Sequence, residues 1–138
     1  MHGLTVPADP NQTLPPDSNP VALLYDFFQQ RIRQLCQKKI DPSRLILDPG
    51  IGFGKGVVQS WQLLRHISAF KPLGAPIMVG HSRKSFLNTV TNAPANQRDA
   101  ATLGVSLQLM EEGVDFLRIH NVLAHREALS ATKTFTHA

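Results

Sequence analysis

The sequence is short of the features that mark exported, membrane-spanning and disulfide-linked proteins. Cys36 is the only cysteine among 138 residues, so no disulfide can form within the chain, and a reducing, cytoplasmic compartment is favoured. No apolar stretch approaches the roughly 18 residues needed to span a bilayer, and the N-terminus has no basic segment followed by an apolar one. We therefore expect a cytoplasmic protein without a membrane partner.

Charge of either sign is nowhere concentrated. The formal net charge is +4 at pH 7, yet Lys and Arg are scattered, and no run of like charges predicts a nucleic-acid-binding tail. We expect no nucleic-acid partner, because a small anionic ligand accounts for the basic balance equally well. The five histidines other than His120 show no metal-ligand spacing, and all of these but His81 are expected to be ordinary surface or loop residues. These ordinary histidines are His2, His66, His125 and His137.

The N-terminal segment is rich in proline. Half of the ten prolines lie within the first twenty residues, where they disfavour a helix or a paired strand. We expect residues 1–19 to form a loop. Asn19 can cap a helix that has Pro20 at its first position, and the apolar spacing that follows predicts a helix over residues 20–38.

Three short apolar runs, at residues 45–47, 76–80 and 116–120, predict parallel strands that are buried on both faces. Helical spacing after each run predicts three further helices: one with an apolar face from Trp61 to Phe70, one over residues 97–112 between a cap near Asn96 and Gly113, and one beginning near Asn121. This alternation indicates an α/β fold. Three strands left open would expose unpaired edges, so we expect part of a barrel.

Polar residues collect where the three predicted strands end. Asp48 ends the first strand, residues 80–85 follow the second, and Arg118 and His120 end the third. Because the carboxyl ends of parallel strands meet at one edge of a sheet, we expect these residues to converge on a ligand site. One carboxylate then faces a set of basic side chains, which are Lys55, Arg83, Lys84, Arg118 and His120. This balance of charge implies an anionic substrate.

The sequence alone leaves two interpretations for most of these side chains. Arg118 and His120 can bind phosphate oxygens, and Ser85 at a helix start can bind a carboxylate. A single Arg or Lys at a strand end is as often merely solvated. Asp48 either accepts hydrogen bonds from an amidine-like N–H pair or caps the turn that follows it, and the two have equal weight.

A glycine-rich loop over residues 50–56 follows the first strand. It lacks the glycine spacing of a nucleotide-binding loop and the Ser or Thr that would follow Lys55 there. Its plainer meaning is a backbone that turns sharply or approaches a ligand closely, with Phe53 and Lys55 presented from the turn.

Four stretches resemble the motifs of the dihydropteroate synthase family. Residues 45–55 resemble its DPGxGFGK signature, residues 80–85 its GxSRKS loop, residues 118–122 its RxHDV strand end, and residues 1–3 the end of the preceding barrel strand. Order, spacing and residue type agree over essentially the whole chain. The resemblance implies the C-terminal half of a TIM-type (β/α)₈ barrel over residues 20–138, with the loop 1–19 following a strand that this chain lacks.

The resemblance also implies a transferase of folate synthesis and sulfonamide target, which joins 6-hydroxymethyl-7,8-dihydropterin diphosphate to p-aminobenzoate and releases diphosphate with the help of Mg²⁺. Asp48 and Lys84 would hold the pterin, and Arg118 and His120 the diphosphate. Lys84, Arg118 and His120 form the expected catalytic set. The other substrate-binding residues are expected to be Phe53, Lys55, Gly80, Ser82, Arg83 and Ser85, with Phe53, Arg83 and Ser85 at the p-aminobenzoate.

The resemblance also implies that the chain lacks the N-terminal half of the barrel, which affects the expected activity. The ligands of Mg²⁺ would lie in the missing N-terminal half, so the chain alone should have little or no activity. The family's dimer contact implies a homodimer through the last helices. His81 and Asn121 depart from the family pattern, which has an apolar residue and an Asp there. The alternative is a non-catalytic half-barrel that binds a pterin or another anion, or an interaction module.

Overall fold

A computed structural model describes residues 1–5, 9 and 12–136. Four α-helices alternate with three short parallel segments. The helices are α1 (Pro20–Gln37), α2 (Val57–Arg65), α3 (Asp99–Glu111) and α4 (Val122–Thr136), and the regular strands are β1 (Met78–Val79) and β2 (Phe116–Leu117). No helix in the described part of the chain is long and apolar enough to cross a membrane.

Helix α1 begins and ends close to where the sequence predicts. The side chain of Asn19 accepts hydrogen bonds from the backbone N–H groups of Val21 and Ala22, at 3.1 and 3.2 Å, and Pro20 occupies the first turn, where its missing N–H costs nothing. Leu24 and Phe28 are buried one turn apart. The predicted loop 1–19 has no helix or strand in its described residues. The strand expected before it stays a prediction.

The second predicted helix is two elements. Helix α2 stops at Arg65, and a 3₁₀ helix continues over Ile67–Leu73. This second piece contains Pro72, which cannot donate the N–H that a continuous α-helix would need. The apolar face is nevertheless the predicted one, because Ile67 and Phe70 are fully buried.

The third helix starts later than predicted. Helix α3 begins at Asp99, and Asn96 lies in a separate 3₁₀ turn over Ala95–Gln97, where it does not cap the helix. The expected cap at Asn96 is therefore wrong. Gly113 has a φ of +71° after the helix, as predicted. Asn121 caps α4, since its Oδ1 accepts a hydrogen bond from the N–H of Ala124 at 3.2 Å.

The strands are shorter than the apolar runs. β1 and β2 pair in parallel, with Met78 opposite Phe116 and Val79 opposite Leu117. The first predicted strand contributes a single parallel bridge, between Leu47 and Ile77, and Ile46 is 47% exposed instead of buried. The order and direction of the three segments are confirmed, whereas their length is not. An apolar run shows that a segment is buried and does not show how many residues find a pairing partner.

The core lies between the sheet and helices α1 and α2. Phe28 and Phe70 meet there edge to face, with ring centroids 5.5 Å apart. The N-terminal loop packs on the same side, where Leu14 is buried and donates its N–H to the Gly54 carbonyl at 2.9 Å. The loop that precedes the first helix is thereby tied to the glycine loop.

Replacing Phe70 with alanine tests this core. Phe70 is fully buried and Phe135 is 87% exposed, so F70A should lower the free energy of unfolding by about 3–5 kcal/mol, whereas F135A should change it little. Urea denaturation of both variants measures the difference. Equal effects of the two substitutions would contradict the described packing.

Candidate functional site

The carboxyl ends of the three parallel segments meet, as predicted, and the first of them carries Asp48. This side chain is buried, and its Oδ1 accepts a hydrogen bond from the N–H of Gly50 at 2.8 Å. One of the two interpretations of Asp48, the turn cap, is therefore realised. The cap occupies only one carboxylate oxygen, so it does not exclude a ligand contact through Oδ2.

Lys84 lies over the glycine loop. Its Nζ is 4.5 Å from the centroid of the Phe53 ring and donates to the carbonyl of Ile51. A Cβ at Gly52 would lie 3.2 Å from the Lys84 side chain, so the glycine makes room for it. Burial lowers the pKa of Lys84 to about 8, with the nearby charge of Arg118 contributing to the shift and Asp48 opposing it. The structure thus brings Asp48, Phe53 and Lys84 together.

Arg118 crosses the end of β1 at Gly80. A Cβ at Gly80 would lie 2.5 Å from a terminal nitrogen of the Arg118 guanidinium. Any larger residue would displace the guanidinium. Gly80, which was expected to contact substrate, serves in the structure to let an exposed Arg118 lie beside Lys84.

Ser82 orients His120. The Ser82 Oγ accepts a hydrogen bond from the backbone N–H of His120 at 3.3 Å and lies 2.8 Å from His120 Nδ1. If the hydroxyl donates to Nδ1, the imidazole proton is on Nε2, which can then donate to an anion. Ser82 is buried and His120 is exposed. The serine is thus placed to fix the histidine.

Lys55 is not presented from the loop as expected. It is 6% exposed, and its Nζ lies 2.7 Å from His2 Nδ1 and 2.9 Å from the Phe53 carbonyl. Burial lowers its pKa to about 8, and it also lowers the pKa of His2 to about 4, with Lys55 contributing. The reason is local: Gly50 and Gly54 both have positive φ and turn the chain so that the ammonium faces inward. Its expected contact with substrate remains a prediction.

Arg83 is engaged by the protein itself. Its Nε and one terminal nitrogen donate to the two carboxylate oxygens of Asp99, at 2.7 and 2.9 Å. This bidentate pair holds the pKa of Asp99 down at about 2. Ser85 is exposed at the start of a five-residue 3₁₀ helix, Ser85–Thr89. The expected helix start at Ser85 is therefore only a 3₁₀ turn, which aligns too few peptide units to attract a carboxylate through a helix dipole.

Three histidines lie in the interior, against the expectation for His2 and His125. His2, His81 and His125 are all at most 4% exposed. The Oγ of Ser106 lies 2.9 Å from Nε2 of both His81 and His125. Burial lowers the pKa of His81 to about 4. The sequence offered one signal, since polar Thr102 and Ser106 are spaced by one turn on the buried face of α3.

Two further histidines, His66 and His137, were expected at the surface. His66 is exposed, as expected, and His137 lies outside the described residues. Within residues 1–5, 9 and 12–136, no group of three or more His, Cys, Asp or Glu side chains could hold a metal ion. The described residues therefore do not fit a Mg²⁺ site of their own.

Comparison with known proteins shows which family this chain belongs to. The family described as pterin binding enzyme matches residues 1–120. This chain belongs to the pterin-binding enzyme family. A folate synthesis bifunctional protein of Chlamydia trachomatis serovar D is 38% identical over 132 residues, which are 94% of this chain and 29% of that protein.

Solved structures of dihydropteroate synthases are similar to this chain. The enzyme of Xanthomonas albilineans in complex with 7,8-dihydropteroate has a TM-score of 0.86 at 32% identity, over 93% of this chain and 49% of that one. The Yersinia pestis enzyme with a sulfonamide drug complex has a TM-score of 0.90 at 30% identity, over 100% and 50%. The chain thus spans about half of these structures. The predicted family resemblance and the α/β half-barrel are confirmed.

The folded chain should lose stability in mild acid. His2 and His81 have pKa values near 4 when folded and 6.5 when unfolded, so between these values only the unfolded chain gains their protons. Their contribution is complete above pH 6.5 and is lost as the pH falls towards 4, by on the order of 3 kcal/mol for each histidine. Urea denaturation across this range measures it.

Two variants assign the acid effect. H81Q should reduce the fall in unfolding free energy between pH 6.5 and 4, because it removes one buried imidazole. H66Q removes an exposed one and should leave the fall as large as in the parent. A pH-independent unfolding free energy across this window would show that the buried histidines are protonated in the folded chain.

Proposed function

We propose that this chain forms the pterin and diphosphate half of a dihydropteroate synthase active site. The enzyme would join 6-hydroxymethyl-7,8-dihydropterin diphosphate to p-aminobenzoate and release diphosphate. One observation carries the proposal: Asp48, Lys84, Arg118 and His120 lie at the same end of three parallel segments. An acceptor for ring N–H groups thereby stands beside three donors for oxygen atoms.

The pterin would lie between Asp48 and Lys84. The free lone pairs of the Asp48 carboxylate suit the amino-pyrimidine edge, which presents two N–H donors, and an ammonium suits the ring carbonyl. With a pKa of about 8, Lys84 is still mostly protonated at pH 7 and can donate. The Phe53 ring, held beneath the ammonium, offers an apolar face to the ring system.

Arg118 and His120 would bind the diphosphate. In the transfer, the amine nitrogen of p-aminobenzoate forms a bond to the pterin methylene carbon while the bond from that carbon to the diphosphate oxygen breaks. The amine proton leaves to solvent. Negative charge grows on the departing oxygen, and a guanidinium with an imidazole N–H stabilises that charge where it develops. Holding the amine in line supplies much of the remaining rate enhancement.

The p-aminobenzoate would approach along Phe53, Arg83 and Ser85. Exposed Ser85 can offer its hydroxyl and backbone N–H to the carboxylate. Arg83 contributes less directly, because Asp99 already occupies its guanidinium. The contact of Arg83 with this second substrate is therefore the least supported of the roles that the resemblance implies.

The rest of the enzyme's setting is part of the same proposal. Mg²⁺ would neutralise charge on the diphosphate, with its ligands in the half of the barrel that this chain does not include. The enzyme would work in the cytoplasm, without a nucleic-acid partner. Helix α4 exposes three large apolar side chains that suit a homodimer contact: Val122, Leu123 and Phe135.

A non-catalytic half-barrel is the second candidate. The exposed side chains Ile46 and Phe116, at 47% and 48%, lie on or beside the first and last segments of the short sheet. Such edges favour pairing with another chain. This candidate would retain ligand or partner binding and would need no turnover.

Calorimetric titration of the chain with the pterin diphosphate tests the proposed pterin site. We expect a Kd on the order of micromolar, weakened at least about tenfold in D48N and in K84A, since each loses a hydrogen bond to a charged group. K71A, at an exposed lysine after α2, is the matched control. Binding that survives both site substitutions would refute the assignment.

Turnover separates the two candidates. Joined to the preceding half of a family member, the chain should produce dihydropteroate from the two substrates, and K84A should lower the rate about a hundredfold or more. Binding without any turnover in the joined protein would favour the non-catalytic half-barrel.

A further inference from the structure

The first turn of α3 holds Arg83 in a backbone conformation that few residues adopt. Arg83 has a φ of +61°, in the left-handed region that disfavours side chains with a Cβ. Thr102 Oγ1 accepts its N–H at 3.1 Å, and Arg98 donates to the carbonyls of Arg83 and Lys84 at 3.4 and 3.3 Å. Such a conformation persists only where the surroundings fix it.

Asp99 contributes the charged contact among those that fix Arg83. Both of its carboxylate oxygens accept from the Arg83 guanidinium, and Oδ2 also accepts from Asn121 Nδ2 at 3.2 Å. Asn121 in turn caps α4. Asp99 therefore links the loop after β1 to the segment after β2.

Asn121 suits this link better than an Asp at the same position would. A carboxylate at that position would face the Asp99 carboxylate at hydrogen-bond distance without a donor between them. The amide of Asn121 provides the donor. Asp99 and Asn121 therefore fit one another as a pair.

Arg83 separates two side chains of the site. Ser82, before it, contacts His120, and Lys84, after it, contacts the glycine loop and Phe53. A change of φ at Arg83 would turn these neighbours away from their partners together. The guanidinium of Arg83 is thereby an anchor for the loop more than a free ligand contact.

We propose that Asp99 is a positioning residue that, through Arg83 and with Asn121, fixes the loop of residues 82–85 so that Lys84 and Ser82 face the ligand. That the ligand is a pterin diphosphate rests on the proposed function, whereas the positioning itself does not. Asp99 touches no reacting atom in this proposal.

Lys84 reports on the position of its own loop. Its pKa of about 8 depends on burial beside Arg118, so a released loop would let the ammonium reach water and the pKa rise towards 10.5. The loss of a nearby carboxylate would act in the opposite direction and lower the pKa. In D99N the two effects have opposite signs, and only release of the loop gives a rise.

Titration of the Lys84 side chain by NMR, with ¹³Cε-labelled lysine and no ligand, is the test. We expect D99N to raise the pKa of Lys84 by at least about one unit, from about 8. The charge-neutral double variant R83Q/D99N should give no larger rise, because Asp99 acts through Arg83. D26N, at an exposed carboxylate of α1, should give none.

Two further variants keep the test decisive. D99E retains a carboxylate on a longer arm and should restore the pKa of Lys84 at least in part. R83K keeps the charge, loses the bidentate geometry and should raise that pKa, so it replaces D99N if the latter does not fold. An unchanged or lower pKa in a folded D99N, or an unchanged one in a folded R83K, would overturn the proposal.

The same samples separate this proposal from the proposed function. Titrated with the pterin diphosphate, D99N should bind at least about tenfold more weakly than the parent chain. A parent chain that binds no pterin diphosphate, with the Lys84 response intact, would contradict the proposed function and leave Asp99 as a positioning residue. Binding of the pterin diphosphate by the parent chain, with no rise in the pKa of Lys84 in D99N, would support the proposed function and contradict the positioning role of Asp99.

Discussion

A few backbone hydrogen bonds between three parallel segments hold the site together. The backbone N–H of Leu47 donates to the Pro76 carbonyl and that of Met78 to the Leu47 carbonyl, both at 2.8 Å. The backbone N–H of Arg118 donates to the Val79 carbonyl at 3.0 Å. These bonds fix the register in which Asp48, the loop after Val79 and the side chain of Arg118 reach the same edge. Because the regular strands have only two residues each, a slip of one residue would remove the convergence.

The cations of the site are held at an electrostatic cost. Lys84 and Lys55 both have pKa values lowered to about 8 by burial, so at neutral pH the folded chain binds their protons less tightly than the unfolded chain does. The apolar core under the sheet offsets this cost. An anion bound between Lys84 and Arg118 would raise the pKa of Lys84 and so relieve this cost.

Local sequence patterns predicted the elements whose signals are local. The Asn19–Pro20 cap defined the start of α1, and the order of strands and helices placed Asp48, Lys84 and Arg118 at one edge. The cap at Asn96 was wrong because the chain makes a separate turn there, and tertiary contacts decide where α3 begins.

The polar contacts in the interior could not be predicted from local sequence patterns. Lys55 and His2 are 53 residues apart in the chain, and the Ser106 hydroxyl joins two histidines from different elements. No spacing rule connects such residues. Arg83 was expected to face a substrate, and the sequence did not predict its pairing with Asp99. Asp99 lies in a helix that packs onto the loop only in the folded chain.

Three separate segments of the chain meet in one proposed ligand site. Backbone amide NMR of the labelled chain, titrated with the pterin diphosphate, measures this directly. We expect the signals of residues 48–55, 80–85 and 118–121 to shift together with a single dissociation constant. Shifts confined to one of these segments would show that the three do not form one site.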